Sequence, residues 1–380
     1  MPMNNNKIAQ WLHVLWLLPG IWLVGCTADN GAAPVDDTGR RPIAFSVSTE
    51  APADVTRGFL LNELDAEFGL FCAKYDDDEW GDEGQPLNFM YNEMVIGSDD
   101  SWSTSEGYFV PKTENLKFFA YYPYYDDVRF GNSPIRMYGD EYMAYPIPAF
   151  TYTMPQDVDE QLDLMYAISD QVHADNEGKL GTVHLHFRHL LTAISVVARS
   201  SETCTLKRIT LKNLYRKGEF EFVDGGVLRA DPTETDGDGF GEVYANLNIK
   251  LKSTYNTVGS GKSFMLILQP LDDDGNPKLN QEASMWVTIE AGGKEYVFKK
   301  SLADLATSLT SSKNTQLNLS VESLKRITVR ATITNWGHGA NFDGAVSDQP
   351  TLELEPLISD WEGEDDNTTN ITTGPKDSNP

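Results

Sequence analysis

Apolar and β-branched residues in this 380-residue chain come in short runs, and Gly, Asp, Asn or Pro interrupts nearly every run before a helical period is established. That pattern predicts an all-β protein. Strands are expected at 43–48, 67–74, 87–91, 116–122, 164–169 and 183–198. A second set is expected at 206–213, 218–223, 244–251, 264–269, 284–290, 294–299, 315–321 and 327–336. Only 302–309 has the pattern of a helical turn or two. Ala291-Gly292-Gly293-Lys294 supplies the positive-φ residues of a tight hairpin. Short strands without alternating helices indicate antiparallel sandwiches, and the length suits two in tandem, at 43–202 and 203–336. Ser200 to Thr203 marks the expected boundary.

The amino terminus has its own chemistry. Lys7 is the only charged side chain before an apolar run at 11–24, and Leu23-Val24-Gly25-Cys26 closes that run. Small residues ahead of a cysteine that can carry diacylglycerol define a bacterial lipobox. The run is too short to span a bilayer and is broken by Pro19 and Gly20. Residues 1–26 therefore read as a lipoprotein signal with lipidation at Cys26. Residues 27–42, rich in Ala, Asp, Gly and Pro, read as a flexible tether leading away from an outer membrane.

Composition narrows the function. Against 57 acidic side chains stand 30 basic ones, a formal net charge of −27 spread along the chain. Repulsion from phosphate disfavours nucleic acid as a partner, whereas a surface protein gains solubility from the same charge. With Cys26 lipidated, Cys72 and Cys204 remain, each in an apolar run. They read as small buried hydrophobes rather than a disulfide.

The motifs that resemble sites of chemistry each lack a required part. Gly259-Ser260-Gly261-Lys262-Ser263 ends like a phosphate loop, but Asn256 stands where the first glycine belongs and a strand-like run follows. Asp236-Gly237-Asp238-Gly239 and Asp272-Asp273-Asp274-Gly275-Asn276 lack the remaining ligands of a calcium loop and read as turns. His184 and His186 share one strand face and are expected at the surface. His189, on the other face, is expected as a hydrogen-bonded core residue. No metal, cofactor or catalytic residue is assigned, and no enzyme is expected. The run Phe118-Phe119-Ala120-Tyr121-Tyr122-Pro123-Tyr124-Tyr125 is the one candidate sugar-stacking platform, with alternation placing about half of it in the core. It leaves a monomeric, lipid-anchored glycan-binding lipoprotein as the alternative reading.

At the carboxy terminus, Gly- and Asp-rich sequence at 337–349 precedes Thr-Leu-Glu-Leu-Glu-Pro-Leu-Ile at 351–358. Alternation puts Leu352, Leu354 and Ile358 on one face and Glu353 and Glu355 on the other. Pro356 confines its position to an edge or a non-bonding site. Residues 337–361 thus form an appendage with one strand, and 362–380 form a polar tail.

Taken in order, these motifs resemble the fimbrillin family of type V fimbriae, in its Mfa-like lipoprotein branch. The resemblance rests on Cys26, Ile43-Ala44-Phe45-Ser46-Val47, Thr56-Arg57-Gly58 and the aromatic run at 118–124. It continues with Asp163-Leu164-Met165-Tyr166-Ala167, Phe187-Arg188-His189-Leu190-Leu191 and Ile333-Thr334-Asn335-Trp336. It implies two transthyretin-like sandwiches and an adhesive, non-enzymatic surface subunit. It also implies cleavage after Arg57, with Arg40 and Arg41 as competing sites, and release of the lipid together with the first strand. The groove so opened would take a strand from another fimbrial subunit, with Leu352, Leu354 and Ile358 as the donor residues. A receptor on a host or bacterial surface is left as an open further partner, as is position at base, shaft or tip.

Overall fold

In a computed structural model of the chain, the structure describes residues 42–49, 66–76, 87–98, 101–111, 113–126, 133–137, 149–173, 181–222, 229–230, 240–258, 263–270, 279–302, 313–335 and 351–356. Every regular element among them is a β-strand. In chain order these are β1 (Phe45–Thr49), β2 (Ala66–Tyr75), β3 (Met90–Ser98), β4 (Ser101–Thr104), β5 (Asn115–Tyr122), β6 (Ile135–Met137), β7 (Ala149–Thr153), β8 (Met165–Ile168), β9 (Val172–His173), β10 (Val183–His189) and β11 (Thr192–Ser200). There follow β12 (Thr205–Tyr215), β13 (Lys217–Glu221), β14 (Arg229–Ala230), β15 (Phe240–Lys250), β16 (Asn256–Thr257), β17 (Phe264–Leu266), β18 (Ser284–Ala291), β19 (Lys294–Ser301), β20 (Lys313–Ser323), β21 (Arg326–Asn335) and β22 (Thr351–Pro356).

The first sheet runs β2-β3-β4-β1-β10-β8-β5-β9, and β5 also pairs with β2. Seven strands therefore close into a ring, with β9 attached outside it. Closure removes free edges, and the inward residues of each strand fill the interior. Phe45, Phe68, Leu70, Val95, Trp102, Phe118, Val183, Leu185 and Phe187 belong to that buried interior. On β10 the period of two is direct, since Val183, Leu185 and Phe187 are buried while His184 and Arg188 are exposed.

A second sheet runs β15-β12-β18-β19-β22-β21-β20-β11-β16, with β17 paired to β11, and a third runs β14-β13-β7-β6. A second core joins both to the outer face of the ring. Phe222 sits at their junction, with ring centroids 6.4 Å from Phe71, 5.9 Å from Phe119 and 5.9 Å from Phe150. The β18–β19 hairpin turns through Gly292 and Gly293 at φ 58° and 77°, in the left-handed region expected for a two-residue loop.

Four features depart from the sequence expectations. The run at 183–198 is not one strand: it divides at Leu190 and Leu191, where the Leu190 N–H bonds the Leu164 carbonyl and the chain crosses between sheets. β10 buries its odd-numbered positions while β11 is buried at nearly every position, so the adjacent Leu190 and Leu191 mark where the phase of the alternation breaks. Ser200 to Thr203 instead link β11 to β12 within the second sheet, and the third sheet joins β6 and β7 with β13 and β14. The pairing is not wholly antiparallel, because β1–β10 and β11–β20 are parallel. More than a hundred residues separate the members of each pair, so no short-hairpin constraint fixes their direction. Finally, β5 is buried on both faces, and Phe119 and Tyr121 lie in the second core while Phe118 and Ala120 lie in the first. Alternation had assigned only one face to the core.

Candidate functional site

The strand β1 completes the ring from its amino-terminal end, and each part of its sequence has a local role. Ile43, Phe45 and Val47 point inward and are buried, with Phe45 edge-on to Phe118 at 5.4 Å. Five residues of β1, from Phe45 to Thr49, pair in parallel with Val183 to Phe187 of β10. The other edge is held more lightly: Phe45 opposite Trp102 is its one register pair with β4. Flanking backbone bonds run from Ile43 N–H to the Tyr108 carbonyl and from Val183 N–H to the Ala44 carbonyl, both 2.9 Å. Burial of three apolar side chains of this size contributes roughly 5–9 kcal/mol.

On the outer face a polar ladder fastens the same pair. Ser46 Oγ lies 3.0 Å from His184 Nδ1, while Ser48 Oγ lies 3.1 Å from His184 Nε2 and 2.9 Å from His186 Nδ1. The exposed His184 and half-buried His186 fit the surface role expected from the strand pattern. Their serine partners were missed, because a parallel partner a hundred and more residues away leaves no mark in local spacing. Trp102 was missed as well, since Ser-Trp-Ser-Thr in an Asp- and Ser-rich stretch is too short to register as a strand.

At the other terminus, β22 lies between β19 and β21. Thr351 to Leu354 pair antiparallel with Arg330 to Ile327, and Glu355 and Pro356 pair with Lys299 and Phe298. The strand predicted at 351–358 is thus present at Thr351–Pro356, with Leu352 opposite Val329 and Leu354 opposite Ile327. Pro356 is its last residue, a position where a missing N–H costs little. Cys26, Arg57 and Ile358 lie outside the described residues, as do 259–262, 271–278 and 231–239 with the loops expected there, and 303–309 with most of the expected helical turn.

The aromatic run is mostly interior. Phe118, Phe119 and Tyr121 are fully buried, leaving Tyr122, Tyr124 and Tyr125 half-buried at the end of β5. A closed hydrogen-bond network fixes this corner: Tyr121 Oη donates to Asn92 Oδ1 at 2.6 Å, Asn92 Nδ2 donates to the Tyr125 carbonyl at 2.8 Å, and the Tyr125 N–H donates to Tyr121 Oη at 3.2 Å. Burial pushes the Tyr121 phenol far above its ordinary range. Asn92 holds φ 52°, a left-handed conformation that asparagine tolerates better than most residues.

His189 is a core residue with a partner, its Nδ1 2.8 Å from Asp163 Oδ1, and both side chains are largely buried. Asp163→Ala should therefore cost about 2 kcal/mol, read as a lower urea midpoint with an unchanged slope, because it strips a buried ring of that partner. An unaltered midpoint would show the pair to be energetically idle. Cys72 and Cys204 are free and buried in different cores, and burial raises the Cys72 thiol well above its usual value. Neither is poised for redox chemistry.

Residues 62–336 match the family model described as fimbrillin-like, and the chain belongs to that family. The match leaves out both β1 and β22. A curated relative, the fimbrium subunit Fim1C of Phocaeicola vulgatus, is 29% identical over 193 residues, 48% of this chain and 49% of the relative. The chain thus spans about half the length of the curated relative it matches. Among solved structures, a fimbrial protein from Bacteroides vulgatus is similar with a TM-score of 0.53 and 18% identity, covering 77% of this chain and 99% of that one. A cell-adhesion candidate from Bacteroides ovatus follows at a TM-score of 0.51 and 16% identity, covering 78% and 98%. At such identities these two establish the fold. Family membership places the chain among fimbrial proteins of the cell surface and not among enzymes.

Proposed function

We propose that this chain is a structural subunit or adhesin of outer-membrane fimbriae, assembled by protease-triggered strand exchange. In this reading Cys26 carries lipid that holds the precursor at the outer membrane, and β1 plugs its own ring until cleavage after Arg57. Lipid, tether and β1 then leave together. Two sandwich units, one built on the ring and one on the ten-stranded sheet, form the body that remains.

The observation that carries the reading is the position of β1. It is the first strand in sequence yet sits between β4 and β10 in the ring, so its departure would leave unpaired backbone on β4 and β10 above an apolar trench. Such a groove is filled by β-augmentation, in which main-chain bonds supply affinity and pockets for alternate side chains supply register. Leu352 and Leu354 repeat the two-residue spacing of Ile43, Phe45 and Val47, with Pro356 in the next place on that face and Ile358 in the one after. Leu352, Leu354 and Ile358 are the donor residues of this proposal. The partner is a neighbouring fimbrial subunit.

Deletion of 350–361 tests the donor assignment. Protease-treated protein lacking that segment should stay monomeric on size-exclusion chromatography under conditions in which the full chain assembles. Polymers of undiminished length from the truncated chain would place the donor elsewhere.

A further inference from the structure

The outer face of the groove carries chemistry that the apolar argument does not use. His184 and His186 stand on the outer side of β10, where β1 offers them only the hydroxyls of Ser46 and Ser48. Arg188 continues the same face two residues along. In a chain with a formal net charge of −27, this is a local run of nitrogen-bearing side chains along one groove wall.

The candidate donor has the complementary pattern. If Leu352 and Leu354 take the places of Phe45 and Val47, alternation puts Glu353 and Glu355 in the places of Ser46 and Ser48, which register with His184 and His186. Running the strand the other way keeps both glutamates on the outer face, because the period of two does not depend on direction. We infer that His184 and His186 form an acid-recognising wall of the groove, which selects the Glu353- and Glu355-bearing strand of a second copy of this chain over the serine-bearing β1. This inference rests on the strand-exchange reading above.

A serine hydroxyl satisfies an imidazole nitrogen as donor or acceptor, so β1 is held without discrimination. A carboxylate only accepts, and the bond it takes from an imidazole N–H is charge-assisted because the acceptor is ionised. Replacing Ser46 and Ser48 by carboxylates therefore favours the incoming strand over the outgoing one at the positions where the two compete. Charge complementarity of this kind fixes partner and register more than it adds bulk affinity.

The test is a charge exchange in the full chain, followed after protease treatment by the rate of ladder formation. Glu353→Lys with Glu355→Lys should slow assembly about tenfold, and His184→Glu with His186→Glu should slow it to a similar degree, the scale of two partly screened pairs. All four substitutions together should return the rate to near wild type. Since lysines in β22 could also disturb the chain's own second sheet, a free peptide of residues 350–361 gives an independent measurement. It should terminate wild-type ladders, and the same peptide carrying Glu353→Lys and Glu355→Lys should do so about tenfold less well. Wild-type rates from either charge-reversed pair, no recovery in the fourfold variant, or equal potency of the two peptides would overturn the histidine wall while leaving strand exchange intact. Failure of the wild-type chain to assemble at all would overturn both.

Discussion

Incubation of the full chain with an arginine-specific protease is expected to convert monomer into a ladder of species resistant to mild denaturant, and Arg57→Gln is expected to abolish that conversion. The expectation follows from where Arg57 falls relative to β1. Arg57 lies in the connection between β1 and β2, so cleavage there severs the plug from the ring it fills. Cleavage at Arg40 or Arg41 leaves β1 joined to β2 and the ring closed. Arg40→Gln with Arg41→Gln should therefore still form ladders. The cut does not by itself expel β1, because three buried side chains worth roughly 5–9 kcal/mol hold it in place. What the cut does is make displacement permanent once a donor of comparable apolar spacing competes. Ladder formation should accordingly be slow, dependent on protein concentration and accompanied by release of a peptide ending at Arg57. Ladders from Arg57→Gln at wild-type rates would show that the trigger lies elsewhere.

The second large effect is steric. Gly69 on β2 lies directly opposite Tyr121 on β5, and a Cβ built on it would overlap the Tyr121 ring. The ring cannot swing aside, since its hydroxyl is fixed by Asn92 and Tyr125 and its face stacks on Phe71 at 5.9 Å. Gly69→Val is expected to cost about 3 kcal/mol in chemical denaturation, the upper range for overpacking in a close-packed core. Tyr121→Ala alone should cost about 3–5 kcal/mol through the cavity it leaves. In the double variant the valine occupies part of that cavity, so the two costs should fall short of additivity by about 2 kcal/mol. Strict additivity would contradict the contact.

The sequence made the strand content legible because amphipathic alternation is local: β10, β12, β18, β19 and β21 all begin or end within a few residues of their expected bounds. The Gly292-Gly293 hairpin was legible for the same reason, turn chemistry being carried by the turn residues themselves. Partner choice is not local. Nothing in Phe45-Ser46-Val47-Ser48 states that it pairs in parallel with Val183 to Phe187, and the break of alternation at Leu190-Leu191 does not state which sheet the chain enters next. The double burial of β5 escaped for a related reason: its second face is covered by Phe222, a residue far along the chain. Of the groove, the inward residues could be read and the outer ladder could not, because Ser46 and Ser48 gain meaning only beside His184 and His186.

The central claim is that β1 is a removable plug, and the terminus of the assembled protein tests it most directly. Intact mass and amino-terminal sequencing of protein recovered from surface fimbriae should give a first residue of Gly58, with neither lipid nor β1 attached. An assembled protein that begins at a lipidated Cys26 and retains residues 43–49 would contradict it.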